Sequence, residues 1–328
     1  MQTPVGFDAI TRSPGSAPTL DFDHHPLLAI WEVTQACDLV CQHCRACATP
    51  HRDTGELSTV EGFRLLDDIR AMGTPVVVLT GGDPAKRPDL PALVAYGASI
   101  GLLMNVTPSG TPVMTDALVG ELVAAGVARI AVSIDGPDAE SHDAFRGVAG
   151  SFAESLRAVQ INSSVGPHNA RALRAMADLA AAEGVALWAV FVVVPTGRAG
   201  ASLLMGPKKV EALLEELADI AATAPFDVKT TAAPHFRRVM LQRKQRDGAR
   251  GILHDVDEHG VVRGTRGITD GVGFVFVSHR GEIFPSGFLP VSAGDVRRDD
   301  IGTVYRTHPL FTKLRDAIAK AHADVREK

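Results

Sequence analysis

The chain has 328 residues, of which 45% are hydrophobic and 22% are charged, a composition typical of a globular protein. The formal net charge of -5 at pH 7 argues against a general nucleic-acid or membrane-surface binder. The longest apolar run, residues 186–194, is much shorter than the ~20 residues that span a bilayer. The first 26 residues contain acids and prolines without an apolar segment, unlike a secretory signal, so we expect a cytoplasmic protein.

Apolar runs typical of strands alternate with helical patterns along the first two thirds of the chain. The predicted strands are residues 27–34, 75–80, 102–108, 129–135, 160–165 and 186–194. The predicted helices are residues 58–73, 89–101, 115–127, 151–159, 169–184 and 207–224. Strands that alternate with helices form parallel sheets covered by helices. The order therefore predicts an α/β protein, either with an open sheet or with an incomplete TIM-like barrel.

Polar or glycine-rich residues follow each predicted strand. The segments concerned are residues 37–47, 80–84, 105–110, 133–136, 162–164 and 194–198. In parallel α/β folds, ligands bind at the C-terminal ends of the strands. One such loop is ordinary turn chemistry, but six of them at one edge predict a functional site.

All four cysteines lie in the loop after the first predicted strand, at Cys37, Cys41, Cys44 and Cys47. In a reducing compartment such a cluster binds metal or does chemistry more often than it forms disulfides. Zinc is one interpretation, although structural zinc sites usually draw their ligands from two separate turns. An iron–sulfur cluster is the other, because thiolates are its usual ligands.

The C-x3-C-x2-C spacing of Cys37, Cys41 and Cys44 resembles the signature of the radical S-adenosylmethionine (radical SAM) superfamily. The resemblance implies a partial (β/α)6 TIM-like barrel with one [4Fe–4S] cluster, held by these three cysteines, and an open iron that binds SAM. In the family, reductive cleavage of SAM gives a 5′-deoxyadenosyl radical that abstracts hydrogen from the substrate. An electron donor such as flavodoxin or ferredoxin is also implied. Cys47 has no role in this signature.

The resemblance also implies contacts with SAM at several strand ends. Gly81, Gly82 and Asp83 match the family's Gly-Gly-Glu element, with Asp in place of the commoner Glu. His43 takes the place of an aromatic residue, and Arg146 matches an arginine that pairs with the SAM carboxylate. The other expected SAM contacts are Asn105, Ser133, Asp135, Asn162, Ser164 and Val194.

The alternating pattern stops after residue 224. We therefore divide the chain into an N-terminal extension (1–26), a radical SAM core (27–224) and a small α+β C-terminal region (225–328). In the last region, residues 271–297 predict a hairpin and a Pro-rich loop, and residues 310–325 an amphipathic helix. Two further predictions are a strand at 227–231 and a basic, solvated helix face at 236–246.

The C-terminal layout resembles the start of the extension in SPASM and Twitch maturases. Where those proteins place ligands for auxiliary clusters, this sequence has Pro285, Ser286 and Gly287, and no cysteine follows. We therefore expect a maturase relative that lacks the auxiliary-cluster cysteines.

The leading hypothesis is a radical SAM enzyme that abstracts hydrogen from a peptide, tetrapyrrole or other small-molecule precursor during cofactor or peptide maturation. One alternative is a non-catalytic zinc or iron–sulfur module of degenerate radical SAM type. A third possibility is methyl transfer from SAM without a cluster, which leaves three of the cysteines without a purpose.

Overall fold

The computed structural model describes residues 21–156, 160–246, 255–256, 262–263 and 268–326. The strands are β1 (Leu28–Glu32), β2 (Val76–Thr80), β3 (Leu103–Val106), β4 (Arg129–Ser133), β5 (Gln160–Val165), β6 (Leu187–Val192), β7 (Asp227–Thr231), β8 (Asp255–Val256), β9 (Val262–Arg263), β10 (Phe274–Val277), β11 (Glu282–Phe284) and β12 (Gly294–Asp295). The helices are α1 (Thr59–Ala71), α2 (Leu90–Ser99), α3 (Asp116–Ala124), α4 (Ala139–Arg146), α5 (Ser151–Ser155), α6 (Leu173–Ala182), α7 (Pro207–Thr223), α8 (His235–Arg246), α9 (Ile301–Thr307) and α10 (Pro309–Arg326).

A ten-stranded sheet has the order β12-β11-β10-β1-β2-β3-β4-β5-β6-β7. Strands β1 to β7 pair in parallel and in chain order, as expected for successive right-handed βα units. On the other side of β1, β10 also pairs in parallel, and β11 and β12 continue antiparallel. Because parallel strands share one direction, the loops after β1 to β6 meet at one edge, which we call the rim.

The helices cover one face of this sheet with apolar side chains. Alternate residues of β1, β2 and β10, such as Trp31, Val77 and Val275, pack in a fully buried core with α1, α2 and α9. A second core around Trp188 lies between β5, β6 and the helices α6 and α7. Since side chains alternate along a strand, the other residues of each strand point to the opposite, inner face.

The predicted strands and long helices are confirmed to within about two residues at most of their ends, which is the ordinary uncertainty of helix and strand boundaries. One expectation is wrong, namely that 151–159 holds the only helix between β4 and β5. Helix α4 precedes it, capped by the side chain of Asp138 and ended by Gly147 in the left-handed conformation with φ 74°. Residues 157–159 of the predicted helix lie outside the described residues.

The basic stretch at 236–246 forms α8 and packs against α7. Arg238 pairs with Glu211, and Arg243 pairs with both Glu215 and Asp219. Acidic residues of α7 therefore balance this charge, in agreement with a solvated helix face.

Strands from beyond residue 224 belong to the same sheet as the predicted core, because β7 continues it at one edge and β10 to β12 at the other. The boundaries at 26/27 and 224/225 stay predictions, and residues 1–20 of the N-terminal extension lie outside the described ranges. Within those ranges, every helix is too short or too polar to span a bilayer.

Candidate active site

The cysteine loop follows the C-terminal end of β1 and lies at the rim. Cys37 and Cys41 are buried, Cys44 is half-buried and Cys47 is exposed. Backbone N–H groups already point at two of the sulfur atoms, since Leu39 N lies 3.4 Å from Cys37 Sγ and Ala48 N lies 3.4 Å from Cys44 Sγ. Such donors stabilise a thiolate, which is the form that binds iron.

Burial raises the pKa of the Cys37 and Cys41 thiols, and charge on Cys44 would raise both further. Arg146 acts against the rise in the pKa of Cys41, because its Nη1 lies 3.8 Å from the sulfur.

Among the described residues, no three Cys, His, Asp or Glu side chains are placed to hold a single metal ion. In an iron–sulfur cluster each thiolate binds a different iron, so the three sulfur atoms do not have to converge on one point. Cys37, Cys41 and Cys44 supply three soft donors of this kind.

Helix α4 holds the cysteine loop from one side. Val40 N and Gln42 N of the loop donate to the carbonyl oxygens of Arg146 and Phe145 at 3.1 and 3.3 Å. These carbonyls lie at the C-terminal end of α4 and have no partner within the helix. The helix missed in the sequence therefore supplies two anchors for the segment that carries Cys41.

Gly81 and Gly82 hold the loop from the other side. Gly82 N donates to Thr34 O at 2.8 Å, and Asp83 N donates to Ala36 O at 2.6 Å. A Cβ atom on Gly81 would lie 2.5 Å from Thr34 O, and one on Gly82 would lie 2.4 Å from Ala36 O. The glycines are thus required for close packing of two backbone segments.

Asp83 is buried and accepts three hydrogen bonds within the protein. The donors are Ala85 N at 3.1 Å, Ser109 N at 3.3 Å and Thr111 Oγ1 at 2.6 Å. Burial raises the pKa of the Asp83 carboxyl, and the hydrogen bonds act against that rise. Its observed role is to fix the loop after β3 beside Cys37. A direct contact of Asp83 with SAM stays a prediction.

Asp135 and Arg146 form a buried ion pair, with Arg146 Nε 2.7 Å from Asp135 Oδ2. Ser164 N donates to the other carboxylate oxygen at 2.6 Å. Burial acts to raise the pKa of Asp135, but Arg146 and the hydrogen bonds hold it below its ordinary value. Three of the predicted SAM contacts, from the loop after β4, from α4 and from β5, are thereby brought together.

His43 is part of a stack of three rings. Its ring centroid lies 4.5 Å from that of Phe145, whose other neighbour is His168 at 3.8 Å. Burial lowers the pKa of His43 to about 4, so the ring is neutral near pH 7. Its Nδ1 is buried without a hydrogen-bond partner among the described residues, so this atom can meet a polar group of a bound ligand.

The remaining predicted contacts lie on the inner face or on the rim. Ser133 and Asn162 are register partners on β4 and β5, so they lie side by side. Asn105 lies lower on the sheet and donates to Val77 O and Leu103 O at 3.4 Å each. Val194 lies in the loop after β6. The roles of all these residues toward SAM stay predictions.

Arg198, which was not among the predicted site residues, follows β6 and holds the cysteine loop. Its Nε donates to Cys41 O at 3.1 Å and its Nη1 to Ala48 O at 3.3 Å. The adjacent Gly197 has φ 63° and would place a Cβ only 2.3 Å from Cys44 O. The sequence signal was the polar segment after the sixth strand, where a lone arginine looks like a surface residue.

A second missed group is centred on Glu32, the last residue of β1 and buried. Arg45 Nη2 lies 2.5 Å from one of its carboxylate oxygens, and His279 Nδ1 lies 2.6 Å from the other. Burial acts to raise the pKa of Glu32, but these two partners hold it below its ordinary value. The group ties the cysteine loop to the turn between β10 and β11.

Known proteins resemble this chain over most of its length. Residues 31–172 match the family model described as Radical SAM superfamily. An AdoMet-dependent heme synthase from Methanosarcina barkeri is 37% identical over 301 residues, which cover 89% of this chain and 85% of the relative. An Fe-coproporphyrin III synthase from the same organism is 28% identical over 328 residues and covers 92% and 80%.

The fold is also found among solved structures. The SuiB protein of Streptococcus suis, bound to its precursor peptide SuiA, superposes with a TM-score of 0.70 at 14% identity, covering 89% of this chain and 67% of SuiB. The similarity confirms the mixed α/β, partial TIM-like barrel. Together with the heme-synthase relative and the cysteine motif, these matches show that the chain belongs to the radical SAM superfamily.

Proposed function

We propose that this radical SAM enzyme acts on a tetrapyrrole and forms haem or a haem-like product. The observation that carries the proposal is the 37% identity to an AdoMet-dependent heme synthase over 301 residues. At that length and identity, the shared sequence extends beyond the cysteine motif to the strands that line the inner face. The chemistry of that face supports the same class of substrate.

One side of the inner face is apolar, and we call it the apolar wall. It consists of the inward residues of β10, β1 and β2, whose neighbours in sequence lie in the core under the helices. These residues are Leu28, Ile30, Val76, Val78, Phe274 and Phe276. All except Phe276 retain some accessible surface, so they can contact a ligand.

The other side is polar, and we call it the polar wall. It consists of inward residues of β3, β4, β5 and β7. These residues are Asn105, Arg129, Ser133, Gln160, Asn162, Ser164, Asp227, Lys229 and Thr231. A tetrapyrrole has a broad apolar ring and carboxylate side chains at its edge, so it can use both walls at once. Extended peptides bind chiefly through backbone hydrogen bonds and separate side-chain pockets. An inner face divided into an apolar wall and a polar wall does not specifically favour that mode of binding.

The residues of the rim would hold the cofactors above this space. We assign Cys37, Cys41 and Cys44 to a single [4Fe–4S] cluster, which together with SAM would supply the radical that abstracts hydrogen from the substrate. Arg146 and the neutral His43 line the expected SAM position. Since the cluster requires an electron, we also propose a small protein donor such as flavodoxin or ferredoxin.

Anaerobic assay of the reconstituted protein tests this function. Protein, SAM, dithionite and iron coproporphyrin III should give 5′-deoxyadenosine, haem and CO2, with the first two measured by chromatography with mass detection. Each of two propionates would lose one hydrogen atom to the deoxyadenosyl radical, one CO2 and one electron, and so become a vinyl group. The electron would return to the oxidised cluster. The Cys44→Ala variant is the control and should give neither product. Formation of 5′-deoxyadenosine with the porphyrin recovered unchanged would contradict a tetrapyrrole substrate and would favour the peptide alternative.

A further inference from the structure

We propose that Arg129 and Lys229 on the polar wall bind carboxylate groups of the substrate. The inference rests on the proposed function, because it assigns the acidic edge of a tetrapyrrole to two named cations. It goes beyond that function by stating which part of the barrel recognises this edge and how the ring is oriented.

Both side chains point to the inner face. On β7, Val228 packs in the core around Trp188, so its neighbour Lys229 projects to the opposite side. Lys229 is the register partner of Ala189 on β6, which is itself in register with Asn162. Lys229 therefore lies level with the middle of the polar wall.

Arg129 reaches the same face from β4. The next residue, Ile130, packs against the core under the helices, so Arg129 points inward. Its Nη1 donates to Gln160 Oε1 at 3.3 Å, and Gln160 Nε2 donates to Asn162 Oδ1 at 2.9 Å. This chain of amides orients the guanidinium without neutralising it.

The two cations lack an acidic partner among the described residues, since neither has a carboxylate at ion-pair distance. Lys229 is the exposed residue of β7, as expected for a side chain that faces the open interior of a barrel. Desolvation by neighbouring protein atoms, followed by the positive charge of Arg129, lowers the pKa of Lys229. Two like charges on one face of the barrel attract an anionic ligand, which would relieve their mutual repulsion.

The carboxylates would lie opposite the apolar wall, so the ring plane would bridge the barrel. Arg129 can bind a carboxylate through two parallel N–H groups, whereas Lys229 acts as a point charge. The arrangement would place the acidic edge against β4, β5 and β7 and the apolar ring against β1, β2 and β10.

Binding to the reconstituted enzyme tests the inference. The probes are coproporphyrin III, which carries free carboxylates, and its tetramethyl ester, both in the same low concentration of detergent. Porphyrin absorbance should give a lower Kd for the acid than for the ester in the wild-type protein. Arg129→Gln and Lys229→Met should each raise the Kd for the acid about tenfold or more, and leave the Kd for the ester nearly unchanged.

Lys209→Met, which removes an exposed lysine of α7, is the matched control and should bind both probes like the wild type. Iron content and the midpoint of urea unfolding should be unchanged in all three variants, which excludes misfolding. Equal affinity of the Arg129 and Lys229 variants and the wild type for the acid would overturn the inference while leaving a tetrapyrrole substrate intact. Failure of the wild-type protein to bind either porphyrin would instead contradict the proposed function.

Discussion

The rim and the polar wall both carry charged side chains, but the partners of those charges differ between the two regions. At the rim, Asp135 is paired with Arg146, and Glu32 is paired with Arg45 and His279. On the polar wall, the two cations have no carboxylate partner among the residues described. Rim charges thus hold the protein's own loops in place, whereas polar-wall charges are free to meet a ligand.

The difference follows from what each region must do. A cofactor site needs fixed geometry before anything binds, and paired charges on separate strands and loops provide it. A substrate site binds and releases its ligand. Its charged side chains therefore form ion pairs with the ligand and not with other residues of the protein.

Removal of any cluster cysteine should have the largest effect. Cys37→Ala, Cys41→Ala and Cys44→Ala should each prevent assembly of a complete cluster and abolish formation of 5′-deoxyadenosine, because each thiolate would hold a different iron. Iron and sulfide analysis after anaerobic reconstitution measures the first effect. Cys47→Ala is the matched control, and its exposed thiol predicts normal iron content. Iron loss in that variant equal to the loss in the others would rule out a three-cysteine site.

Breaking the Asp135–Arg146 pair should destabilise the fold strongly. Asp135→Asn leaves a buried guanidinium without its counter-charge, at a cost of about 3 to 5 kcal/mol in the free energy of unfolding. Urea denaturation of the cluster-free protein measures it. Combination with Arg146→Gln should recover part of the loss. A cost below about 1 kcal/mol for Asp135→Asn would mean that the pair does not organise the rim.

Adding one methyl group at the rim should also loosen the site. Gly82→Ala places a Cβ 2.4 Å from Ala36 O, and we expect a loss of about 2 to 3 kcal/mol together with reduced iron content. Gly120→Ala in α3 is the control, because a Cβ there meets nothing within 4 Å and should stabilise the helix by about 1 kcal/mol. Equal thermal stability of the two variants would argue against close packing at residue 82.

The smallest effect is a pH dependence of stability. Burial, followed by the charge of Arg146, lowers the pKa of His142 to about 4, and its Nδ1 accepts a hydrogen bond from Asp135 N at 3.1 Å. The unfolded chain, with an ordinary histidine pKa near ~6.5, binds protons more readily, so stability should fall as pH decreases from 6.5 toward 4. Between about pH 7.5 and pH 5.5 this residue should account for about 1 kcal/mol.

His142→Asn keeps a hydrogen-bond acceptor near the same position and does not titrate. Its unfolding free energy, measured in urea at both pH values on cluster-free protein, should decline less than that of the wild type. If both proteins lose stability equally, His142 is not a source of the acid sensitivity.

Local patterns predicted the strands of the core because their physical basis is local. The apolar run of β2, for example, is bounded by Pro75 and Gly81, and the structure places that strand within one residue of the predicted bounds. Helix α4 was missed because its sequence, AESHDAFR, has few apolar residues, although Asp138 and Gly147 are ordinary cap residues. Its stability comes from tertiary contacts, including those to the cysteine loop, which a periodicity argument does not detect.

Long-range pairing explains the other omissions. Nothing in the segment 274–277 indicates that it lies parallel to β1, although that pairing brings His279 to Glu32. Arg198 is separated by 157 residues from the carbonyl oxygen of Cys41 that it binds. The cluster cysteines could be predicted because they share one short loop. The residues that hold this loop come from the loops after β2 and β6, from α4 and from the β10–β11 turn.

Electron paramagnetic resonance of the reduced, reconstituted protein tests the central claim most directly, namely that three thiolates hold a cluster with one iron open to SAM. We expect a [4Fe–4S] signal in the wild type and in Cys47→Ala, with a changed shape after SAM is added. A signal that does not respond to SAM, or a sample with about one zinc per chain and no sulfide, would contradict the account.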